Sequence, residues 1–313
     1  MFAADLSNPW IASAAGARRK LSPWIVLALA AAVAAASVAV GRLVGAAGGG
    51  LAARAMAQAP APWPALVENA VFQLAVFGPL ILFAVVACRI EGRRLWLPGT
   101  PSAALIGLVC GAGGFGLLFA LVSLAGAISP GGAGLVGPAA AAGVSAGLVL
   151  FAFQCAAEEV YFRGWLQPLL CQRWGPWAGL AVSSLLFAAL HLLGGARSPL
   201  ALINLVLGGV MFGLLALRSG GLWAPFLAHF SWNWIEACGV GLEPNPGIGP
   251  TGALVDLDLG GAKLWSGGAD DLNGSLATTL VLLSVTIALL ALAPLRSAGP
   301  AARRPGFAPP QTT

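Results

Sequence analysis

Charge is what this chain of 313 residues has least of: Asp, Glu, Lys and Arg together make up 9% of it. A soluble domain carries about a quarter, so a water-soluble globular protein is excluded. Cysteine is scarce as well. The five cysteines, at 88, 110, 155, 171 and 238, form no CxxC and no Cys/His metal spacing, and they fall in or beside apolar segments. That excludes a disulfide framework and leaves them as small core residues. No basic cluster exceeds Arg18-Arg19-Lys20, so the net charge of +5 does not describe a nucleic-acid binder. There is no HExxH, and neither DLDLGG nor GGADDLNGS has the spacing of a calcium loop; both read as solvated loop. No repeated half with paired broken helices marks an inverted-repeat transporter.

Apolar sequence is abundant, with 58% hydrophobic residues and a mean hydropathy of +0.88. Spanning a hydrocarbon core takes roughly 20 helical residues, and runs of that order lie near 24–44, 66–88, 103–127, 143–170, 177–194, 200–217, 222–239 and 277–294. The fold expected is an all-α polytopic membrane protein, a bundle of about eight transmembrane helices with a polar cavity between helices 4, 5 and 7. The first run follows basic residues but is long and lacks a clear cleavage region, so it reads as a retained anchor rather than a signal peptide. Residues 1–23 then form an N-terminal tail, 24–94 the first two helices and a linker, 95–240 the domain carrying the chemistry, 241–276 a loop, and 277–313 the last helix and a tail. Both tails and the 45–64 linker read as mobile.

An even number of crossings puts both termini on one side. The N-terminus, the 88–102 loop, the 163–176 region, Arg218 and the C-terminus hold 12 of the 16 basic residues. By the positive-inside rule that side is cytoplasmic and the 241–276 loop is extracytoplasmic. The Ala-, Gly- and Arg-rich, Lys-poor composition suggests a GC-rich bacterium, hence its cytoplasmic membrane.

Polar residues inside this apolar chain are costly and therefore informative. In CAAEEVYFRGW, Glu159 and Arg163 stand four apart and can pair along one helix face, while Glu158 points about 100° away. The next helix ends FAALH with His191, and the seventh carries HFSWN, with His229 and Asn233 on one face; these are the only two histidines. Counted from the RWGPW turn at 1.5 Å per residue, Glu158 and His191 both lie roughly 21–23 Å deep; counted from Arg218, His229 lies roughly 16 Å deep. Such a set suits peptide hydrolysis, which needs a base for water, donors for an oxyanion and an acid for the leaving amine. Glu158 would take a proton from water that His191 helps to hold. His229 and Asn233 would face the oxyanion, and Glu159 with Arg163 would fix the helix and keep Glu158 oriented.

EEVYFRG, FAALH and HFSWN, in that order on three apolar helices, resemble the EExxxR, FxxxH and HxxxN motifs of the CPBP intramembrane proteases, which include the CAAX prenyl endopeptidases and bacterial Abi proteins. The stretch NLVLGGVMFGLLALRSGGLWAPFLAHFSWN is similar to that family's sixth and seventh helices, and the resemblance covers 95–240. It implies an intramembrane endopeptidase using Glu158, Glu159, Arg163, His191, His229 and Asn233 in the same roles, with cleavage facing the cytoplasm. Its partners would be the lipid bilayer and a peptide or membrane-associated protein substrate. The family has carried a metalloprotease label, and one Glu with two His is also a zinc set. The favoured expectation is a glutamate mechanism without metal; a zinc-dependent protease and a non-catalytic scaffold or immunity protein are the alternatives.

Overall fold

In hydrocarbon every backbone N–H and C=O has to find its partner within the chain, so uncharged apolar runs fold as helices. The computed structural model of this protein describes residues 8–17, 21–95, 97–132 and 137–292. Among these, seven helices are long and apolar enough to cross a membrane. They are α2 (Pro23–Ala55), α3 (Trp63–Ile90), α4 (Pro101–Leu124), α5 (Pro138–Trp174), α6 (Pro176–Gly194), α7 (Pro199–Ser219) and the segment ending in α9 (Leu276–Ala291). The chain is thus an all-α, multi-pass membrane protein. The eighth expected span is helical but short: α8 (Trp223–Trp234) runs 12 residues and continues for five as a π-helix, Ile235–Gly239.

Three expectations are corrected. The N-terminal tail is not a free arm, because Pro9–Ala15 forms a further helix, α1, whose Trp10 and Ile11 are fully buried against α5 and α7. The linker begins later than expected, since α2 continues through Ala55. The 241–276 segment is packed rather than merely solvated. Its strand β2 (Leu257–Leu259) pairs antiparallel with β1 (Ile128–Pro130) beyond α4, and Leu242 and Leu272 are buried. Asn204 of α7 donates to the carbonyls of Asn273 and Ser275 at 2.8 and 2.9 Å. Hydropathy cannot see such attachments, because they are made by backbone groups and single side chains.

Helices α6 and α7 form a hairpin, and α8 lies against α4, α5 and α7. Close approach of α8 to α4 depends on two glycines one turn apart. A Cβ at Gly107 would stand 2.3 Å from the Ala224 carbonyl oxygen, and one at Gly111 would stand 2.2 Å from that of Ala228. Small residues spaced by four are how membrane helices bring their backbones together. Here they seat the helix that carries HFSWN.

Candidate functional site

The site assembles where α5, α6, α7 and α8 meet. Glu158 and Glu159 end the α-helical part of α5, and Val160–Leu166 is π-helical before α-helix resumes at Gln167. Pro168 accounts for the wide turn, since its ring would collide with a carbonyl four residues back in a regular α-helix. Arg163, completely buried, pairs with Glu159 at 3.0 Å between its Nη1 and Oε1. Its Nη2 donates to the Gly209 carbonyl at 3.1 Å, and its guanidinium lies 4.6 Å from the Phe187 ring centroid. An unpaired charge at this depth would be prohibitively costly, and these contacts compensate it.

The same Glu159 oxygen is 2.9 Å from His229 Nδ1. Only one nitrogen of His229 is left free: its tautomer is fixed by Glu159, and its ring stacks on Phe212 at 4.6 Å. Asn233, one turn on, directs its amide to the Cys155 sulfur at 3.9 Å. His191 bonds the Phe187 carbonyl through Nδ1 at 2.9 Å, which leaves Nε2 available. Phe187 stands between the two histidines, its ring 4.7 Å from one and 6.0 Å from the other.

His191, His229 and Asn233 line one cavity of about 160 Å³, together with Gln154, Asn204 and Glu236. Glu158 is 3% exposed and is not among the lining residues. Its Oε2 has no hydrogen-bond partner, and it follows Gln154, a lining residue, by one turn on the same helix face. Glu158 therefore borders the cavity without lining it, while Glu159 is the carboxylate in direct contact with histidine. Asn204 and Glu236 were missed by the sequence reading although each left a signal: a lone Asn in the apolar NLVLGG run, and an acid three residues after Asn233.

Depth also needs correction. His191 belongs to the last turn of α6, which ends at Gly194 with the Gly195 N–H capping the His191 carbonyl. In a helix of 19 residues, counting from RWGPW carries His191 across to the far end. The cavity accordingly opens beside the 241–276 segment, whose Glu243 and Asn273 line it. A cytoplasm-facing site and an extracytoplasmic 241–276 loop exclude one another in this fold.

A zinc ion here would draw on a glutamate and the two histidines. Glu159 Oε1 already serves both Arg163 and His229, and among the described residues no three His, Cys, Asp or Glu side chains converge as a metal-ion site. As placed, these side chains do not form a zinc centre.

Compared with known proteins, residues 139–235 match the family described as Type II CAAX prenyl endopeptidase Rce1-like. An uncharacterized 24.3 kDa protein of Escherichia coli is 35% identical over 97 residues, which are 30% of this chain and 42% of that protein. No solved structure matches the chain.

Proposed function

From the match of residues 139–235 to the Rce1-like type II CAAX prenyl endopeptidases, we propose that this protein is an intramembrane endopeptidase whose water is activated by glutamate without a metal. The observation that carries the reading is the link from Arg163 through Glu159 to His229, which ends at a cavity holding His191 and Asn233. In hydrolysis His191 Nε2 orients the water. Glu158, free of any ion pair and with an unpartnered oxygen, takes its proton. His229, held through Nδ1 by Glu159, offers Nε2 to the oxyanion when protonated, and Asn233 adds an amide donor. The accepted proton then passes to the leaving amine. The substrate proposed is a membrane-associated peptide or protein precursor.

We also assign the cytoplasmic side to the end bearing α1, Arg89, Arg94, Arg173 and Arg218. The cavity then opens toward the opposite side, which replaces the cytoplasm-facing site implied by family resemblance.

The test is hydrolysis of membrane peptides by purified protein. Glu158→Gln keeps the shape and removes the base, so turnover should fall by about 10² to 10⁴ while substrate still binds. Asn233→Ala should lose about 10² to 10³. Chelators should leave the rate unchanged; chelator-sensitive activity restored by zinc would overturn the metal-free mechanism. Activity undiminished in Glu158→Ala would remove Glu158 from the chemistry, and no hydrolysis by the wild type would favour a scaffold.

A further inference from the structure

The wide turn of α5 leaves a backbone group that the helix itself cannot satisfy. Within Val160–Leu166 bonding runs from residue i+5, and the Gln167 N–H accordingly reaches the Phe162 carbonyl. The next bond in that series would run from residue 168 to the Arg163 carbonyl, but residue 168 is proline and has no N–H. In the apolar interior an orphaned carbonyl is costly. The donor comes from 153 residues earlier: Trp10 Nε1 lies 2.9 Å from the Arg163 oxygen, fully buried.

The rest of α1 is built to deliver that indole. The Asn8 side chain accepts from the Trp10 N–H, starting the helix, and its amide donates to the Leu217 carbonyl of α7 at 2.6 Å. Ile11 and Ala14 are buried beside it. A second brace reaches the same turn from just beyond α3, where Arg93 Nη2 donates to the Trp165 carbonyl at 3.2 Å and Glu91 accepts from Trp165 Nε1 at 3.1 Å.

We infer that residues 8–17 are a strap that sets the register of the wide turn, and that Trp10 is a positioning residue for the endopeptidase site. It acts through Arg163, whose carbonyl it holds and whose guanidinium carries Glu159 and thereby His229. The effect on turnover rests on the protease reading above; the effect on the turn does not.

The experiment is a double-mutant cycle in detergent-solubilised full-length protein. Trp10→Phe keeps an aromatic ring and removes the N–H, and Pro168→Ala returns a backbone N–H to the orphaned carbonyl. Hydrogen exchange of amides 160–167 should quicken about tenfold in Trp10→Phe, as expected for one buried hydrogen bond, and should return toward wild type when Pro168→Ala is added. The pH–rate profile should shift in Trp10→Phe and return in the double variant, whereas a smaller folded fraction would only scale it. Wild-type exchange in Trp10→Phe overturns the proposal, and so does a loss that Pro168→Ala does not relieve. Should Trp10→Phe fold poorly, recovery of folded yield by Pro168→Ala supports the strap and absence of recovery overturns it. Coupled exchange in a protein that cleaves no peptide would refute the protease reading and leave the strap standing.

Discussion

Two adjacent glutamates are given opposite circumstances by a single residue of phase. Glu159 faces Arg163 and His229, and both of those contacts converge on its Oε1; Glu158 is also buried but makes no ion pair, and the Oε2 of each carboxylate has no hydrogen-bond partner. Replacing Arg163 therefore does more than delete a charge. Arg163→Ala leaves the Glu159 carboxylate with His229 alone and removes a donor from the Gly209 carbonyl, and breaking a buried pair from one side costs about 3–5 kcal/mol in soluble proteins. The expected outcome is loss of folded protein in the membrane, measured as steady-state level and thermal unfolding in detergent. A normally abundant, equally stable Arg163→Ala protein would show that the pair does not support the fold. Glu158→Gln, which disturbs no ion pair, should keep wild-type abundance.

At the scale of elements, the spans and the three motif-bearing helices were legible because long apolar runs have few alternatives in a bilayer and an ionisable residue within one stands out. The Glu159–Arg163 pair followed from helical spacing alone. The π-helical turns at Val109–Gly113, Val160–Leu166 and Ile235–Gly239 were not legible, since each adds a residue to one turn without altering hydropathy. They shift phase beyond them, so angles counted at 100° per residue hold only up to the bulge. Nor was the partner of Trp10 legible, because a lone Trp in a short polar tail announces nothing about a carbonyl in α5.

Helix α8 owes its place to glycine, which gives a second test at this scale. Gly111→Ala would push a methyl into the Ala228 carbonyl and the Ser231 hydroxyl, each 2.2 Å from the new atom. Forced overpacking costs about 1–3 kcal/mol, so its unfolding temperature should fall, with activity falling further because His229 moves with α8. Gly116→Ala on the same helix meets nothing within 4 Å and should be neutral or stabilising by about 0.5–1 kcal/mol. Equal effects at the two positions would refute close packing as the reason for Gly111.

For the molecule as a whole, charge is biased by end, although Arg42, Arg197 and Lys263 share the acidic end. Arg89, Arg94, Arg173 and Arg218 lie at the end that receives α1, while Glu236, Glu243, Asp270 and Asp271 gather at the end where the cavity opens. Asp270 ties that end together by accepting from the Arg197 and Ser198 N–H groups, each at 2.8 Å. The proposed orientation predicts that a reporter inserted after Gly268 reads as extracytoplasmic and one after Gly175 as cytoplasmic. The reverse pair of signals would turn the molecule over and restore a cytoplasm-facing cavity. In either case the cavity and the 241–276 segment share a side.

The contact between Trp10 and Arg163 also sets an order of events in biosynthesis. Residues 8–17 leave the ribosome well before α5, and the carbonyl that Trp10 caps is made 153 residues later. While α2, α3 and α4 enter the membrane, the arm has to wait on the side where α5 will end. Completion of the wide turn is then a long-range closure, slow in the way that contacts of high sequence separation are slow. A nascent chain with an intact α5 but a tethered or delayed N-terminus would hold Glu159, Arg163 and His229 on inserted helices before they are locked in register. Maturation of the site would thus follow membrane insertion as a separate, later step, timed by the docking of residues 8–17.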